Sequence, residues 1–165
     1  MRDFDAADPA AYPPRAWARL DRAVSEARAA DLQVMIDVAF WAPRWATARP
    51  SPEADRQRDG IDVREYGRFA EAVARRYGDR AVAYTVWNEP NYQVFLRPQW
   101  RRARAGWEIA SAGAYREMVY EAVPRIRRHA PDALVLIGGT AALGTTSPRA
   151  VGVPVRGTSA PGGQG

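Results

Sequence analysis

Residues 81–91, with the sequence AVAYTVWNEPN, join a mostly apolar stretch to a short polar one that begins at Asn88. The apolar part, 81–87, has the length and the flanks of a strand buried inside a parallel sheet. Residues 32–40 and 133–137 form two further apolar runs of this kind, and we expect strands there as well. For the run at 32–40 we expect burial on both faces of the sheet.

Helical periodicity fills the sequence around these strands. Apolar residues recur at spacings of three and four in 16–30, 62–77 and 112–129, which predicts three helices, each with one apolar face. We expect Gly78 to end the second helix and Pro124 to kink or interrupt the third. The order helix, strand, helix, strand, helix, strand is typical of an α/β fold with a parallel sheet built by right-handed crossovers.

The predicted sheet is too small to close on itself. A (β/α)8 barrel needs eight strands and ~250 residues, and a doubly wound fold needs about five strands or more. We therefore expect residues 1–144 to be an excerpt of a larger α/β domain. Residues 145–165 are rich in Gly, Ser, Thr and Pro and lack periodicity, so we expect them to form a disordered tail.

The composition is that of a globular protein, since 47% of the 165 residues are hydrophobic and 26% are charged. No apolar run reaches the ~18 residues that a membrane span needs, and we expect no membrane partner. The first residues lack the apolar stretch of a signal peptide, which leaves the localisation open. The absence of cysteine excludes a disulfide framework and a thiolate metal site, and we expect neither a metal nor another cofactor.

The net charge of +5 and the isoelectric point of about 10.1 would suggest a nucleic-acid partner. However, every Lys/Arg position is Arg, Ala is abundant, and acidic residues are interspersed, which indicates a coding bias more than a phosphate-binding face. We expect no nucleic-acid partner. Arginines are locally concentrated around Trp100, namely Arg97, Arg101, Arg102 and Arg104. This cluster leaves an Arg-rich nucleic-acid-binding α/β domain as an alternative.

Polar residues placed directly after a buried strand indicate a site, because parallel α/β folds bind ligands at the carboxyl ends of their strands. Glu89 would be held rigidly above an apolar floor, where a carboxyl group can exchange a proton with a ligand. Asn88 offers both a donor and an acceptor to a hydroxyl group. Pro90 removes a backbone donor, and we expect it to restrict Glu89 to extended geometry. Spacing alone leaves open that Asn88 and Glu89 merely cap a loop.

The motif WNEPN at 87–91 resembles the fourth-strand motif of glycoside hydrolase clan A, whose members are (β/α)8 barrels that cleave glycosidic bonds with retention. The helix and turn at 66–79 precede the strand as they do in that clan. Residues 34–46 resemble its third strand and loop, and 131–139 resemble its fifth strand. The resemblance spans 13–144 and implies a partial barrel of about three units, strands 3–5. Family 5 (cellulase-like) is the first choice and family 39 (xylosidase-like) the second.

The resemblance also implies roles for individual residues. Glu89 would be the catalytic acid/base, and Asn88 would bind the 2-hydroxyl group of the substrate. Trp41 and Trp45 would be sugar-stacking platforms, or equally would pack in the core or in their loop. Trp87 is predicted to pack inside the barrel. Four aromatic residues in the connection after the motif are expected to form a small core of their own, or a wall of the cleft: Tyr92, Phe95, Trp100 and Trp107.

A retaining hydrolase needs two carboxyl groups ~5–5.5 Å apart. In the clan the second carboxyl group, the nucleophile, comes from the seventh strand, and we see no way to place Glu53, Glu65 or Glu108 opposite Glu89. We therefore predict a fragment of a carbohydrate-cleaving enzyme that is inactive alone and, with open sheet edges, poorly soluble. The alternative is a non-catalytic carbohydrate-binding remnant. The oligomeric state stays open.

Overall fold

The fold is described for residues 4–39, 41–47 and 58–143 by a computed structural model. It contains three helices and five strands among these residues, in the chain order α1 Pro14–Ala29, β1 Met35–Val38, α2 Val63–Tyr77, β2 Ala83–Val86, β3 Trp100–Ala103, β4 Gly106–Ile109, α3 Ala110–His129 and β5 Leu134–Leu136. Single 3-10 turns lie at Pro9–Ala11 and Arg44–Ala46. The predicted tail, 145–165, lies outside the described residues.

The main sheet is parallel and has the order β1-β2-β5, so that the strand before the WNEPN motif lies at its centre. Met35 is opposite Ala83, and Ala83 is opposite Leu134. The three helices and three strands predicted from periodicity are all present, with ends within a few residues of those expected. The alternation therefore predicted the parallel α/β arrangement correctly.

The described residues cover only one face of the sheet. Ile36, Val38 and Tyr84 are at most 5% exposed and belong to one hydrophobic core with residues of all three helices. Met35 and Leu134, on the opposite face, are 58% and 65% exposed. The prediction that the first strand is buried on both faces is therefore wrong for the described residues, because the helices pack on one side of the sheet only.

Gly67 in α2 and Gly78 directly after it are required by close approach to α3. A Cβ atom on Gly67 would lie 2.9 Å from the Cβ of Glu121, and one on Gly78 would lie 2.2 Å from the carbonyl oxygen of His129. Gly78 is the residue that ends α2, as predicted, but its φ of −57° is right-handed, so it is needed for its size. Pro124 does not interrupt α3, which continues to its last turn.

The connection between β2 and α3 contains an element that the sequence did not predict. β3 and β4 form an antiparallel hairpin in which Trp100 is opposite Ile109 and Arg102 is opposite Trp107. Beneath it, the Gln99 side chain is 5% exposed and donates to the carbonyl oxygens of Pro90 and Leu96 at 2.9 and 2.8 Å. The side chain of Gln99 thus ties the hairpin to the end of the WNEPN motif.

None of the described helices is long and apolar enough to cross a membrane.

Candidate active site

The WNEPN motif begins directly after the central strand, which ends at Val86, and places Glu89 three residues beyond that end, at the carboxyl edge of the sheet. The Glu89 amide donates to the carbonyl oxygen of Gly139 at 2.9 Å, and the Glu89 carbonyl accepts from the Tyr92 amide at 2.9 Å. Its backbone is thus bonded on both sides, once to the segment after β5 and once within its own loop.

Asn91 makes a second connection between these two loops. Its Nδ2 donates to the carbonyl oxygen of Ala141 at 3.0 Å, and its Oδ1 accepts from the Ala141 amide at 2.9 Å. A side-chain amide that pairs with one backbone unit in both directions fixes the distance and the orientation of the two loops. Residues 138–141 therefore support the motif, a role that no local sequence pattern predicts.

Two residues of the motif have strained backbone. Trp87 has φ of +58° and Glu89 has φ of +43°, values that cost a bulky L-residue about 1–3 kcal/mol and persist only when the surroundings impose them. The expectation that Pro90 would hold Glu89 in extended geometry is wrong, because the bond from Glu89 to Gly139 and the turn to Tyr92 impose the left-handed conformation. This left-handed turn sets the direction in which the Glu89 side chain leaves the strand.

The side chains of Asn88 and Glu89 have no bonding partner among the described residues. Both residues are partly buried, and neither side chain makes a hydrogen bond or an ion pair within the described part of the chain. A partly buried carboxyl group and amide without partners are an arrangement suited to a polar ligand.

Trp41 and Trp45 lie in the loop after β1 and are 55% and 43% exposed. Together with Trp87, Tyr66 and Phe69 they line an apolar cavity of about 130 Å³. Asn88 and Glu89 are not among the residues that line this cavity. The structure thus brings the two exposed tryptophans together beside the motif, and their stacking on sugars stays a prediction.

Trp87 packs in the core, as its position in an apolar strand indicated. It is 3% exposed, and its ring meets the ring of Tyr66 edge to face with centroids 5.5 Å apart. Its indole N–H finds no acceptor among the described residues. Trp87 therefore forms the floor on which the polar part of the motif stands.

Of the three glutamates considered as a second carboxylate, the two that the structure describes are each paired with an arginine. Glu65 is in the first turn of α2, where it pairs with Arg68 at 3.5 Å and lines the tryptophan cavity. Glu108 pairs with Arg101 across the hairpin. Glu53 lies outside the described residues.

Of the four arginines around Trp100, Arg97 is buried, whereas Arg101, Arg102 and Arg104 are exposed. Arg97 is 9% exposed and donates to the carbonyl oxygen of Gln93 at 3.0 Å. Arg101 is paired with Glu108, and the guanidinium group of Arg102 lies over the ring of Trp107 at 5.7 Å. Within the described ranges there is also no group of three or more His, Asp or Glu side chains placed to hold a metal ion.

Comparison with protein families gives a match that covers most of the chain. The family described as Cellulase (glycosyl hydrolase family 5) matches residues 3–158, nearly the whole chain. Of the two families that the motif resembles, the match is thus to family 5. No curated protein is similar enough to the chain to count as a match.

Proposed function

Since the chain belongs to the cellulase family, glycosyl hydrolase family 5, we propose that it carries the acid/base half of a retaining glycoside hydrolase site, with Glu89 as the acid/base and carbohydrate as the substrate. The parallel sheet and its helices are a part of the (β/α)8 barrel of that family. In such barrels the catalytic groups stand at the carboxyl ends of the strands.

The observation that carries the proposal is the position of Glu89 immediately beyond the central strand. Its backbone is fixed on both sides, while its carboxyl group is bonded to none of the described residues. A general acid must be held in one place yet stay free to meet the leaving oxygen of the substrate. Glu89 meets both requirements.

In the proposed reaction Glu89 protonates the glycosidic oxygen as the bond to the anomeric carbon breaks, and a carboxylate nucleophile takes that carbon. Glu89 then removes a proton from the water that displaces the nucleophile. Asn88, adjacent in sequence, binds the 2-hydroxyl group, an interaction that strengthens in the transition state. We propose that the nucleophile comes from the seventh strand of the family's barrel, which is not among the strands described here.

The test compares this chain with a polypeptide extended through a seventh strand that ends in a carboxylate. We expect the isolated chain to leave aryl β-glycosides intact and the extended polypeptide to hydrolyse them. In the extended polypeptide Glu89→Gln should lower the rate by about 10²–10⁴. Hydrolysis by the isolated chain would contradict the proposal that its nucleophile is missing.

Azide separates an acid/base from a nucleophile. In the extended polypeptide, Glu89→Ala with a good leaving group should accumulate the glycosyl-enzyme, because water then lacks its base. Azide needs no base, so it should restore turnover and give a β-glycosyl azide. No rescue, or an azide product of inverted configuration, would reject the acid/base role.

Exposure of Trp41 and Trp45 beside the cavity favours a second candidate, a non-catalytic carbohydrate-binding remnant. Exposed aromatic rings bind the apolar faces of sugars without any carboxylate. If this candidate is right, the extended polypeptide binds oligosaccharides but does not hydrolyse them. Trp41→Ala would then weaken binding, while Glu89→Gln would leave binding unchanged.

A further inference from the structure

The carboxyl ends of the strands are bridged by two tyrosine hydroxyl groups, one from each of two helices. Tyr66 of α2 is 5% exposed, and its hydroxyl donates to the carbonyl oxygen of Val38, at the end of β1, at 2.7 Å. The hydroxyl oxygen of Tyr66 also accepts a hydrogen bond from the amide of Trp87 at 3.0 Å. That amide also reaches Val38 directly at 3.2 Å, so Tyr66 reinforces the last bond between β1 and β2.

Tyr115 of α3 makes the corresponding bridge between β2 and β5. Its hydroxyl donates to the carbonyl oxygen of Val86 at 3.0 Å and accepts from the amide of Gly138 at 2.8 Å. The paired residues of these two strands end at Thr85 and Leu136, so Tyr115 joins the strands where the regular ladder has stopped. Gly139, the next residue, accepts the bond from the Glu89 amide.

The same device therefore occurs twice, in successive strand–helix units. Each tyrosine lies on the helix that leads into a strand and accepts from an amide beyond the end of that strand, 21 residues later for Tyr66 and 23 residues later for Tyr115. Burial raises the pKa of both phenols above the ordinary value of 10.0. Both hydroxyls therefore stay protonated at neutral pH and can donate one bond while accepting another.

We propose that Tyr66 and Tyr115 are positioning residues, whose hydroxyl groups hold the turn Trp87–Glu89 in its left-handed conformation and thereby aim Glu89. Left-handed φ at Trp87 and Glu89 relaxes unless both ends of the turn are fixed. Tyr66 fixes the amide of Trp87, and Tyr115 fixes Val86 before the turn and Gly138 beside it. The catalytic meaning of this arrangement rests on the proposed role of Glu89, whereas the arrangement itself does not.

Hydrogen–deuterium exchange of this chain, resolved to single amides by fragmentation in the mass spectrometer, tests the proposal. Tyr115→Phe removes only the oxygen, and we expect the Gly138 amide to exchange about tenfold faster because its acceptor is lost. The Glu89 amide, which Tyr115 does not touch, should exchange severalfold faster as well. Tyr66→Phe should accelerate Trp87 less, about threefold, because the bond to Val38 remains.

Two other tyrosines provide matched controls. Tyr77 lies on the same helix as Tyr66, is fully buried, and donates to Asp21 at 2.8 Å on the side away from the site. Tyr84 is buried in β2, with a hydroxyl that finds no partner among the described residues. Tyr77→Phe should lower the overall stability without a local effect at Trp87–Glu89, and Tyr84→Phe should have no effect on the exchange of these amides.

Two results would overturn the proposal. One is unchanged exchange at Trp87, Glu89 and Gly138 in both Tyr66→Phe and Tyr115→Phe. The other is an equal acceleration by Tyr77→Phe, which would mean that any lost hydroxyl loosens the turn. If a variant does not fold, exchange in the wild-type chain still tests the proposal. Exchange of the Trp87 and Gly138 amides as fast as that of exposed amides would contradict the tyrosine bridges.

Failure of the proposed function has a different signature. An extended polypeptide that keeps its full rate as Glu89→Gln would reject the acid/base role while the exchange pattern of the tyrosine variants stays as described. Conversely, wild-type exchange rates in Tyr66→Phe and Tyr115→Phe would reject the positioning role of the tyrosines. The azide test of Glu89 does not depend on that result.

Discussion

Asp37 is the one ionisable side chain that projects from β1 onto the uncovered face of the sheet. Its Oδ1 accepts a hydrogen bond from the Thr85 hydroxyl on the neighbouring strand. Partial burial raises the pKa of Asp37 above the ordinary value of 3.8, and the bond from Thr85 opposes that shift. This hydrogen bond links β1 to β2 on the uncovered face of the sheet.

The raised pKa predicts a pH-dependent stability. A folded-state pKa above the unfolded value contributes stability that is complete below pH 3.8 and is lost as the pH rises through the raised value. Asp37→Asn keeps the shape of the side chain but cannot ionise. We expect the stability of this variant relative to the wild type to increase from pH 3.8 towards neutral pH, as measured by urea unfolding at several pH values.

Thr85→Val provides the opposite change. It removes the bond that favours the charged form of Asp37, so the wild-type loss of stability with rising pH should become larger in this variant. If Asp37→Asn and the wild type give parallel pH profiles, the ionisation of Asp37 is not coupled to folding.

At Glu89 the sequence predicted the location but not the conformation. A mostly apolar run followed by polar residues is a local pattern, and it placed Glu89 correctly at the carboxyl edge of the sheet. The φ of +43° depends on Gly139, some 50 residues away along the chain, and on the two tyrosine bridges. No local rule contains such contacts, and the local rule for a residue before proline gave the wrong answer.

At the scale of elements, the contact between α2 and α3 predicts opposite effects at two helical glycines. Gly67→Ala places a methyl group 2.9 Å from Glu121, and we expect a loss of about 1–3 kcal/mol in unfolding free energy from overpacking. Gly113 in α3 has nothing within 4 Å of its Cβ position, so Gly113→Ala should gain about 0.5–1 kcal/mol from helix propensity.

Urea unfolding of the two alanine variants and the wild type measures both effects under one condition. The comparison is informative because the same substitution is made in two helices of one protein. A gain in stability at Gly67 would mean that α2 and α3 are farther apart than described.

The contact between α1 and α2 depends on one carboxylate. Asp21 of α1 accepts from Arg76 at 2.8 and 2.6 Å and from the Tyr77 hydroxyl at 2.8 Å, while the guanidinium group of Arg76 lies 5.3 Å from the Trp17 ring centroid. Asp21→Ala should cost about 1–3 kcal/mol, because charge-assisted bonds are lost and Arg76 keeps its charge.

The pH dependence of this contact has the opposite sign to that of Asp37. The bond from Arg76 lowers the pKa of Asp21, so its stabilisation is complete above pH 3.8 and is lost as the pH falls through the lowered value. Asp79, with a side chain 85% exposed, is the matched control, and Asp79→Ala should change stability by less than about 0.5 kcal/mol. Equal losses in the two variants would contradict a special role for Asp21.

Elements were predicted where one face is apolar and periodic, and were missed where it is not. The three helices and three parallel strands carry that signal. The hairpin of β3 and β4 does not, because its strands are Trp-Arg-Arg-Ala and Gly-Trp-Glu-Ile and its turn lacks an Asn-Gly or Asp-Gly pair. What defines it is cross-strand pairing, such as Arg102 with Trp107.

At the scale of the whole molecule, the uncovered sheet face carries apolar side chains in rows. Met35, Ala83 and Leu134 form one row, and Leu136 follows in the next, beside Thr85. In a closed barrel such rows pack against the remaining strands and form its interior. Met35, Leu134 and Leu136 instead remain 58%, 65% and 43% exposed, and apolar side chains grouped on a sheet face favour association.

We therefore predict that the chain self-associates through this face. The double variant Leu134→Thr and Leu136→Thr keeps residues that suit a strand while removing apolar area, and it should shift the sedimentation velocity distribution at micromolar concentration towards the monomer. Leu32→Thr, at a residue 62% exposed outside the sheet, should not, because single apolar residues on a surface are ordinary. A wild-type chain that stays monomeric would contradict the predicted association. A Leu32→Thr variant that dissociates as completely as the double variant would place the cause of association outside the uncovered sheet face.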